Sequence, residues 1–151
     1  MEDFSRIDDV VDELYAALSG PAGSRDLERE LRLHHPQARL MRSRIGDDGR
    51  PRLNVMSVEE WYADTADFLA ADDFYEIEVA RHVERFGSIA WVRSVYEARR
   101  HPDDPELLFR GVNSIQVHHD GERWWIVSVL WDNEREGVRV PEAWRRPEAP
   151  G

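Results

Sequence analysis

Histidines and carboxylates are the side chains of this sequence that could move protons near neutral pH. His35 can act as an acid or a base, because an imidazole titrates between pH 5 and 8. Asp132 is the first carboxylate at a predicted inward position on the last two strands. If the protein is an enzyme, we expect His35 and Asp132 to be its catalytic residues. A structural role competes at His35, which precedes Pro36 and could hydrogen bond the nearby backbone.

Three further carboxylates could reach the same interior. Glu76 and Glu78 lie on the first long predicted strand and Glu97 lies on the second. A carboxylate inside an apolar cavity acquires a raised pKa and becomes an effective acid or base at neutral pH. No short turn fixes the register of these strands, so the sequence leaves open which face each residue occupies.

Two neutral polar residues are predicted to face each other in the last hairpin. Asn113 and Ser128 interrupt otherwise apolar strands. Burying an unpartnered amide or hydroxyl costs ~1–3 kcal/mol, so each must bond to its neighbour, to water or to a ligand. Two interpretations remain open, a structural pair or the floor of a binding pocket. In a pocket they would orient a ligand without exchanging protons near pH 7.

Aromatic residues on the predicted helices could complete such a pocket. Tyr15, Trp61 and Tyr62 each carry a polar atom at the tip of an aromatic ring, which suits the wall of a ligand cavity. The same residues could instead be ordinary core. Arg93 is also expected among the ligand-binding residues. The sequence leaves open which face of the sheet it occupies, and if it is buried it needs a carboxylate partner.

Metal and cofactor sites are not predicted. The sequence has no cysteine, and its histidines lack the spacing of a zinc site. The sequence also lacks a nucleophile motif and a phosphate-binding glycine loop. We therefore expect neither a metal nor a cofactor.

Three helices are predicted in the first half of the chain. Apolar residues from Ile7 to Leu18 recur every three or four positions and form one face of a helix. A second, shorter helix is predicted from Ser24, its N-cap, to His35. Ser57 and Glu60 have the spacing of a capping box, which starts a third helix ending near Asp72.

The second half of the chain reads as strands. The predicted strands are Phe74 to Phe86, Ser88 to Arg99, Leu107 to His119 and Glu122 to Glu134, after shorter extended segments at Ala38 to Met41 and Leu53 to Met56. Asp120-Gly121 predicts a two-residue type I′ turn. That turn would pair His119 with Glu122 and therefore Asn113 with Ser128.

The predicted last hairpin is apolar on both faces. Trp125, Val127, Val129 and Trp131 alternate with residues assigned to the helix-covered face. No further helix remains in the sequence to cover them. We therefore predict a homodimer that packs these convex faces together, since an exposed apolar patch of this size favours association.

Composition restricts the partners. The 151 residues suit one domain, and the net charge of −11, with arginines scattered among acidic residues, disfavours nucleic acid. No apolar run approaches the ~20 residues of a membrane span. The first residues, Met1 to Phe4, are acidic where a signal peptide would be basic, so we expect a cytoplasmic protein with no membrane partner.

Two short stretches resemble a known family. They are HPQARL at residues 35–40, after the second predicted helix, and RGVNSIQ at 110–116 followed by DGERW at 120–124, in the last hairpin. Over residues 5–135 the chain resembles the SnoaL-like branch of the nuclear transport factor 2-like superfamily. The resemblance implies an α+β fold, a cone-shaped barrel in which three N-terminal helices pack on a strongly curved antiparallel sheet. Residues 136–151 would form a C-terminal extension, frayed at its end.

The resemblance implies a pocket between the helices and the concave sheet but does not select a chemistry, because members include isomerases, polyketide cyclases, dehydratases and binding proteins. Three hypotheses follow. The leading one is a protein that binds a small hydrophobic molecule without a cofactor. The second is an acid/base enzyme of the isomerase, cyclase or dehydratase type. The third is an interaction module whose interior is filled by its own side chains.

Overall fold

The structure is a computed structural model in which residues 3–148 are described. Its elements are α1 (Ile7–Leu18), α2 (Leu27–Leu33), β1 (His34–Ile45), β2 (Pro51–Met56), α3 (Val58–Ala71), β3 (Tyr75–Phe86), β4 (Ile89–Arg99), β5 (Phe109–His119), β6 (Trp124–Asn133) and a short 3-10 helix (Glu142–Arg145). The three helices pack on one curved, six-stranded sheet, which confirms the predicted α+β class and architecture.

The helices begin where side chains satisfy their first amide groups. At α3 the predicted capping box is confirmed, because Glu60 N donates to Ser57 Oγ over 3.1 Å and Ser57 N donates to Glu60 Oε1 over 2.9 Å. At α2 the prediction needs a correction. The N-cap is Asp26, whose carboxylate accepts a bond from Arg29 N, and not Ser24.

The sheet has the strand order β2-β1-β6-β5-β4-β3. All neighbours are antiparallel except β1 and β6, which run parallel to each other. The sheet therefore places its first and last strands side by side. Its inner face and the helices enclose the main core, which includes Val10, Val11, Leu33, Ile115 and Trp124. None of the described helices is both long and apolar enough to cross a membrane.

The last hairpin differs from the prediction in two ways. Its turn has four residues, because His119 pairs with Trp124 and the Asp120 carboxylate accepts bonds from the amides of Glu122 and Arg123. A β-bulge then adds one residue to β6, Val127. A bulge shifts every later side chain to the other face of the sheet.

The bulge corrects the predicted faces of β6. Before it, the predicted inward positions are right, and Trp124 and Ile126 are fully buried. Beyond it, Val129 and Trp131 turn inward, so these two residues do not belong to the convex dimer face predicted from the sequence. Asn113 pairs with Trp131 and not with Ser128. Trp125 and Val127 keep outer positions and are half-buried.

The C-terminal segment, residues 136–148, covers part of the outer face that the sequence left without a cover. Val140 packs with Ala80 and Val95 in a small apolar cluster. The Trp144 ring lies 4.3 Å from the guanidinium of Arg93. The predicted frayed end includes residues 149–151, which lie outside the described residues.

Candidate active site

A cavity of about 430 Å³ lies between the helices and the inner face of the sheet. Such a volume is within the ~300–1,000 Å³ of small-molecule sites. Its apolar lining consists of Leu14, Leu18, Leu40, Trp61, Phe68, Leu69, Phe74, Phe109, Val129 and Trp131. Its polar lining consists of Tyr15, Glu30, His34, Arg42, Asp64, Thr65, Glu76, Tyr96, Asn113 and Asn133. This open space argues against an interior filled by its own side chains.

Glu76 provides a carboxyl group to the cavity wall. It is the second residue of β3 and pairs with Ala98 of β4. Among residues 3–148 no arginine or histidine lies within 4.0 Å of its oxygens to form a salt bridge. Burial raises the pKa of Glu76 to about 7, although a hydrogen bond from Asn113 acts in the opposite direction. The group can therefore gain or lose a proton near neutral pH.

Tyr15 and Asn113 belong to a chain of hydrogen bonds beside Glu76. Asn113 Nδ2 donates to Tyr15 Oη over 3.0 Å, and Tyr15 Oη lies 2.6 Å from Ser94 Oγ. Ser94 donates its only proton to Glu78, which is paired with Arg81 over 2.6 Å. Ser94 must then accept the proton of Tyr15. Burial raises the pKa of Tyr15 well above its ordinary value, so this hydroxyl remains protonated.

Asn133 supplies a hydrogen-bond donor to the same part of the wall. Tyr96 donates its hydroxyl proton to Asn133 Oδ1, and the Nδ2 group of Asn133 is thereby assigned to the other side of the amide. Burial raises the pKa of Tyr96 above its ordinary value, and the charge of Glu76, in the same cavity wall, acts in the same direction. A Cβ atom at Gly111 would collide with the Tyr96 hydroxyl and the Asn133 amide oxygen, so only glycine fits at position 111.

Glu30 and His34 form a second polar group in the wall, at the junction of α2 and β1. Both are almost fully buried, and His34 Nδ1 lies 4.0 Å from Glu30 Oε2. His34 Nδ1 donates to the backbone oxygen of Glu30 over 2.7 Å, which leaves Nε2 as an acceptor. Burial raises the pKa of Glu30 to about 7 and lowers the pKa of His34 to about 4.

The rim of the cavity is formed by partly exposed lining residues of β1 and α3. Arg42 Nη1 pairs with Asp64 Oδ2 over 2.8 Å, and the Arg42 guanidinium lies 5.5 Å from the Trp131 ring. Phe68 is 46% exposed although it lines the cavity. A ligand entering here would meet an ion pair and two aromatic rings.

The ligand-binding residues predicted from the sequence divide into two groups. The structure places Tyr15, Trp61 and Asn113 in the cavity wall. The other three predicted residues are not among the lining residues, which corrects the prediction, and each makes its contact elsewhere. Tyr62 donates to the backbone oxygen of Arg25 over 2.6 Å, and Arg93 stacks on Trp144 at the outer face. Ser128 lies beyond the bulge, where its hydroxyl donates to Gln116.

The two predicted catalytic residues also lie away from the cavity. His35 Nδ1 accepts a bond from Gln37 N over 3.0 Å, so its contact is with the local backbone. Asp132 faces outward because of the bulge, and it pairs with Arg135 over 2.9 Å. Apart from Asp64, which is paired with Arg42 at the rim, the acid/base groups of the wall include Glu76, whose face the sequence left open, and the pair Glu30 and His34, which was not predicted. The i, i+4 spacing of that pair at a helix end was the available signal.

Comparison of the sequence with family models and with curated proteins gave no match. Solved structures do match. A nuclear transport factor 2-like protein of unknown function from Pseudomonas putida KT2440 has a TM-score of 0.64 at 9% identity, over 93% of this chain and 89% of that one. Another, from Silicibacter pomeroyi DSS-3, has a TM-score of 0.57 at 19% identity, over 85% and 92%.

A third similar structure is described as a proposed ketosteroid isomerase, from Shewanella frigidimarina NCIMB 400. It has a TM-score of 0.55 at 16% identity, over 82% of this chain and 92% of that one. Identities at this level bear on the fold and not on the chemistry. The order of the elements and the curved sheet of this chain are those of the nuclear transport factor 2-like fold.

Proposed function

We propose that the cavity binds a small, mainly apolar carbonyl compound and that Glu76 transfers a proton at the carbon next to the carbonyl, as in an isomerase. The observation that supports this most is the position of Glu76, a carboxyl group without an ion pair among the described residues in an otherwise largely apolar wall. The HPQARL and hairpin stretches, by resemblance, support placement in the SnoaL-like branch.

The proposed reaction has two proton transfers. The Glu76 carboxylate removes a proton from the carbon next to the carbonyl, and the electron pair of the C–H bond moves to the carbonyl oxygen to form an enolate. The same carboxyl then returns the proton to this or a conjugated carbon. No net oxidation occurs, so no cofactor is required.

Asn133 Nδ2 is the donor proposed to stabilise the enolate oxygen. Tyr96 fixes the opposite side of this amide, so the donor is oriented before the substrate arrives. Tyr15 is less suited to this role, because its proton already goes to Ser94. Asn113 instead donates to Glu76 and lowers its pKa, which favours the basic form.

Exchange of carbon-bound hydrogen with solvent deuterium tests the proposal. Small aryl ketones such as 2-acetylnaphthalene would be incubated with the protein in D₂O and followed by NMR. We expect Glu76→Gln to lower the protein-dependent exchange by about 10²–10⁴-fold while ketone binding remains. Glu97→Gln is the matched control, because Glu97 pairs with Arg99 and Arg110 rather than lining the cavity. Equal exchange in the parent and in Glu76→Gln would reject this role for Glu76.

A binding protein without catalysis is the second candidate. The predominance of aliphatic and aromatic residues in the cavity wall supports it, because such a wall retains apolar ligands without any reaction. Tight ketone binding with no protein-dependent exchange at any pH would favour this function over the enzyme.

We also propose self-association through the outer face, which without Val129 and Trp131 is smaller than the sequence predicted. Trp125 and Val127 are still at outer positions, and Trp91 and Leu130 are 44% and 40% exposed. A second copy of the chain is the proposed occupant. Light scattering at micromolar concentration should show a dimer that Val127→Arg dissociates, whereas a parent monomer would reject the proposal.

A further inference from the structure

Two buried polar atoms of the cavity wall lack a protein partner. Among residues 3–148 no hydrogen bond reaches Glu30 Oε1 or His34 Nε2. Glu30 is 1% exposed and His34 is 2% exposed, and both side chains line the cavity. A buried polar atom without a partner costs ~1–3 kcal/mol, so such atoms in native proteins usually meet a ligand or an ordered water molecule.

The two atoms have a defined hydrogen-bonding character. His34 Nδ1 carries the proton that bonds to the Glu30 backbone oxygen, so Nε2 presents a lone pair. A carboxyl group in this apolar setting favours its neutral form, which has one O–H donor. The pair therefore offers one acceptor, Nε2 of His34, and one donor, the O–H of Glu30, on two neighbouring side chains.

A hydroxyl group complements this pair. It can donate its proton to His34 Nε2 and accept the proton of Glu30 at its oxygen, so that no charge is buried. An ammonium group could also donate to both atoms, but it would bring a charge into a wall where ion pairs recover little of their desolvation cost. A carbonyl oxygen could bond to Glu30 and would leave Nε2 without a partner.

The pair lies in a different part of the cavity wall from the proposed reaction centre. His34 pairs with Ile126, near the start of β6, and Asn133 is the last residue of that strand. The charges that affect the pKa of Glu30 come from Glu13, Arg29 and Asp26, whereas Glu76 affects Tyr15 and Tyr96.

We propose that Glu30 and His34 form a second polar subsite that binds a hydroxyl group of the ligand, which makes the substrate class a small apolar hydroxyketone. The assignment of the carbonyl end rests on the function proposed for Glu76. The assignment of the hydroxyl end rests on Glu30 and His34 alone and can be tested without a carbonyl group.

Phenol and toluene provide that test, since they differ only in hydroxyl against methyl. An apolar cavity without a subsite favours toluene, because the phenol hydroxyl loses its water. We expect the parent to bind phenol at least as tightly as toluene in calorimetry. His34→Phe and Glu30→Met should each shift the ratio towards toluene by about 5- to 10-fold. Tyr62→Phe should leave the ratio unchanged, because the Tyr62 hydroxyl bonds to the backbone oxygen of Arg25 outside the cavity.

A measurement on the parent covers the case in which these variants do not fold. The ¹⁵N resonance of His34 Nε2 should move towards lower frequency when phenol binds, as for an imidazole nitrogen that accepts a hydrogen bond, and should not move with toluene. A preference for toluene with an unchanged Nε2 resonance would overturn the subsite.

A second matched pair separates the subsite from the reaction. The compound 6-acetyl-2-naphthol should bind about 5- to 10-fold more tightly than 2-acetylnaphthalene if the hydroxyl is bound. Deuterium exchange of both ketones without a hydroxyl preference would overturn the subsite and leave the function of Glu76 intact. A phenol preference with no exchange of either ketone would reject the function of Glu76 and support the subsite. Tighter binding of a benzylammonium ion than of phenol would overturn the neutral hydroxyl as the ligand group.

Discussion

Asn113 donates from its Nδ2 to the hydroxyl oxygen of Tyr15 over 3.0 Å, and this bond joins the last hairpin to the first helix. Asn113 also acts on Glu76, where its hydrogen bonding lowers the pKa of the carboxyl against the larger effect of burial. Ser94 fixes the direction of this chain of hydrogen bonds. It donates its only proton to Glu78, so it must accept the proton of Tyr15. Ser94, which is not among the lining residues of the cavity, can thus influence the proton affinity of Glu76 through Tyr15 and Asn113.

Tyr15→Phe should raise the pKa of Glu76 further and reduce stability. Without the phenol oxygen, Asn113 loses the acceptor that orients it, and Ser94 loses a partner, at a cost of about 1–3 kcal/mol. The side-chain carbon resonance of Glu76, followed against pH, gives the pKa, and urea unfolding gives the free energy. Tyr62→Phe is the control, because it removes one bond to the Arg25 backbone outside the cavity and should leave the pKa of Glu76 unchanged.

The exchange reaction should become faster with rising pH. Glu76 acts as the base only when ionised, and burial raises its pKa to about 7. The rate should therefore rise through this value and level off above it. A midpoint near the ordinary glutamate pKa of 4.5, or a rate independent of pH, would contradict the assignment.

Relative to the parent, Glu30→Gln should have a higher free energy of unfolding at pH 8 than at pH 4. Below 4.5 the carboxyl is protonated in both the folded and the unfolded chain. Between 4.5 and about 7 the unfolded chain ionises first, because burial raises the folded pKa. The parent therefore loses stability as pH rises through this window, by roughly 3 kcal/mol in total.

The amide that Glu30→Gln introduces does not titrate, so the difference in unfolding free energy between variant and parent should move in favour of the variant over the same window. Urea unfolding of both proteins at pH 4 and pH 8 measures it. Other groups, such as His34, contribute the same pH dependence of the unfolding free energy to both proteins, and their contribution cancels in this difference. A difference that does not change with pH would show that Glu30 is not perturbed.

Gly111→Ala should impair exchange more than it impairs ligand binding. The added methyl collides with the Tyr96 hydroxyl and the Asn133 amide oxygen, so the donor proposed for the enolate turns away. Overpacking of this kind costs about 1–3 kcal/mol of stability. Tyr96→Phe removes the same hydrogen bond without the collision. Exchange rates that fall in both variants, against ketone affinities that hold, would support the role of Asn133.

Local patterns predicted the helices well. The apolar stripe of α1 and the capping box at Ser57 depend on neighbours in sequence, and both were found. The faces of β6 were predicted correctly only as far as Val127. A bulge at a valine has no signal in the sequence, because neither glycine nor proline marks it.

The acid/base residues could not be identified from the sequence, because contacts that a sequence does not display distinguish them from their neighbours. His34 and His35 are adjacent, and which ring enters the interior is decided by where α2 ends and β1 begins. Glu76 and Glu78 share the inner face, but only Glu78 is paired with Arg81 and bonded to Ser94. Distinguishing them required the register of β3 against β4, which is set by a bulge near Val79.

The parallel pairing of β1 with β6 has a consequence for how the chain is made. Arg39 pairs with Ser128, roughly 90 positions later, so the wall that holds His34 cannot close until β6 has left the ribosome. Contacts of such long sequence separation slow folding, because loop closure must precede any gain from pairing. The β3–β4 and β4–β5 hairpins can form first as local units. Nascent chains that stop before β6 should therefore leave the β6 side of β1 unpaired and sensitive to proteases.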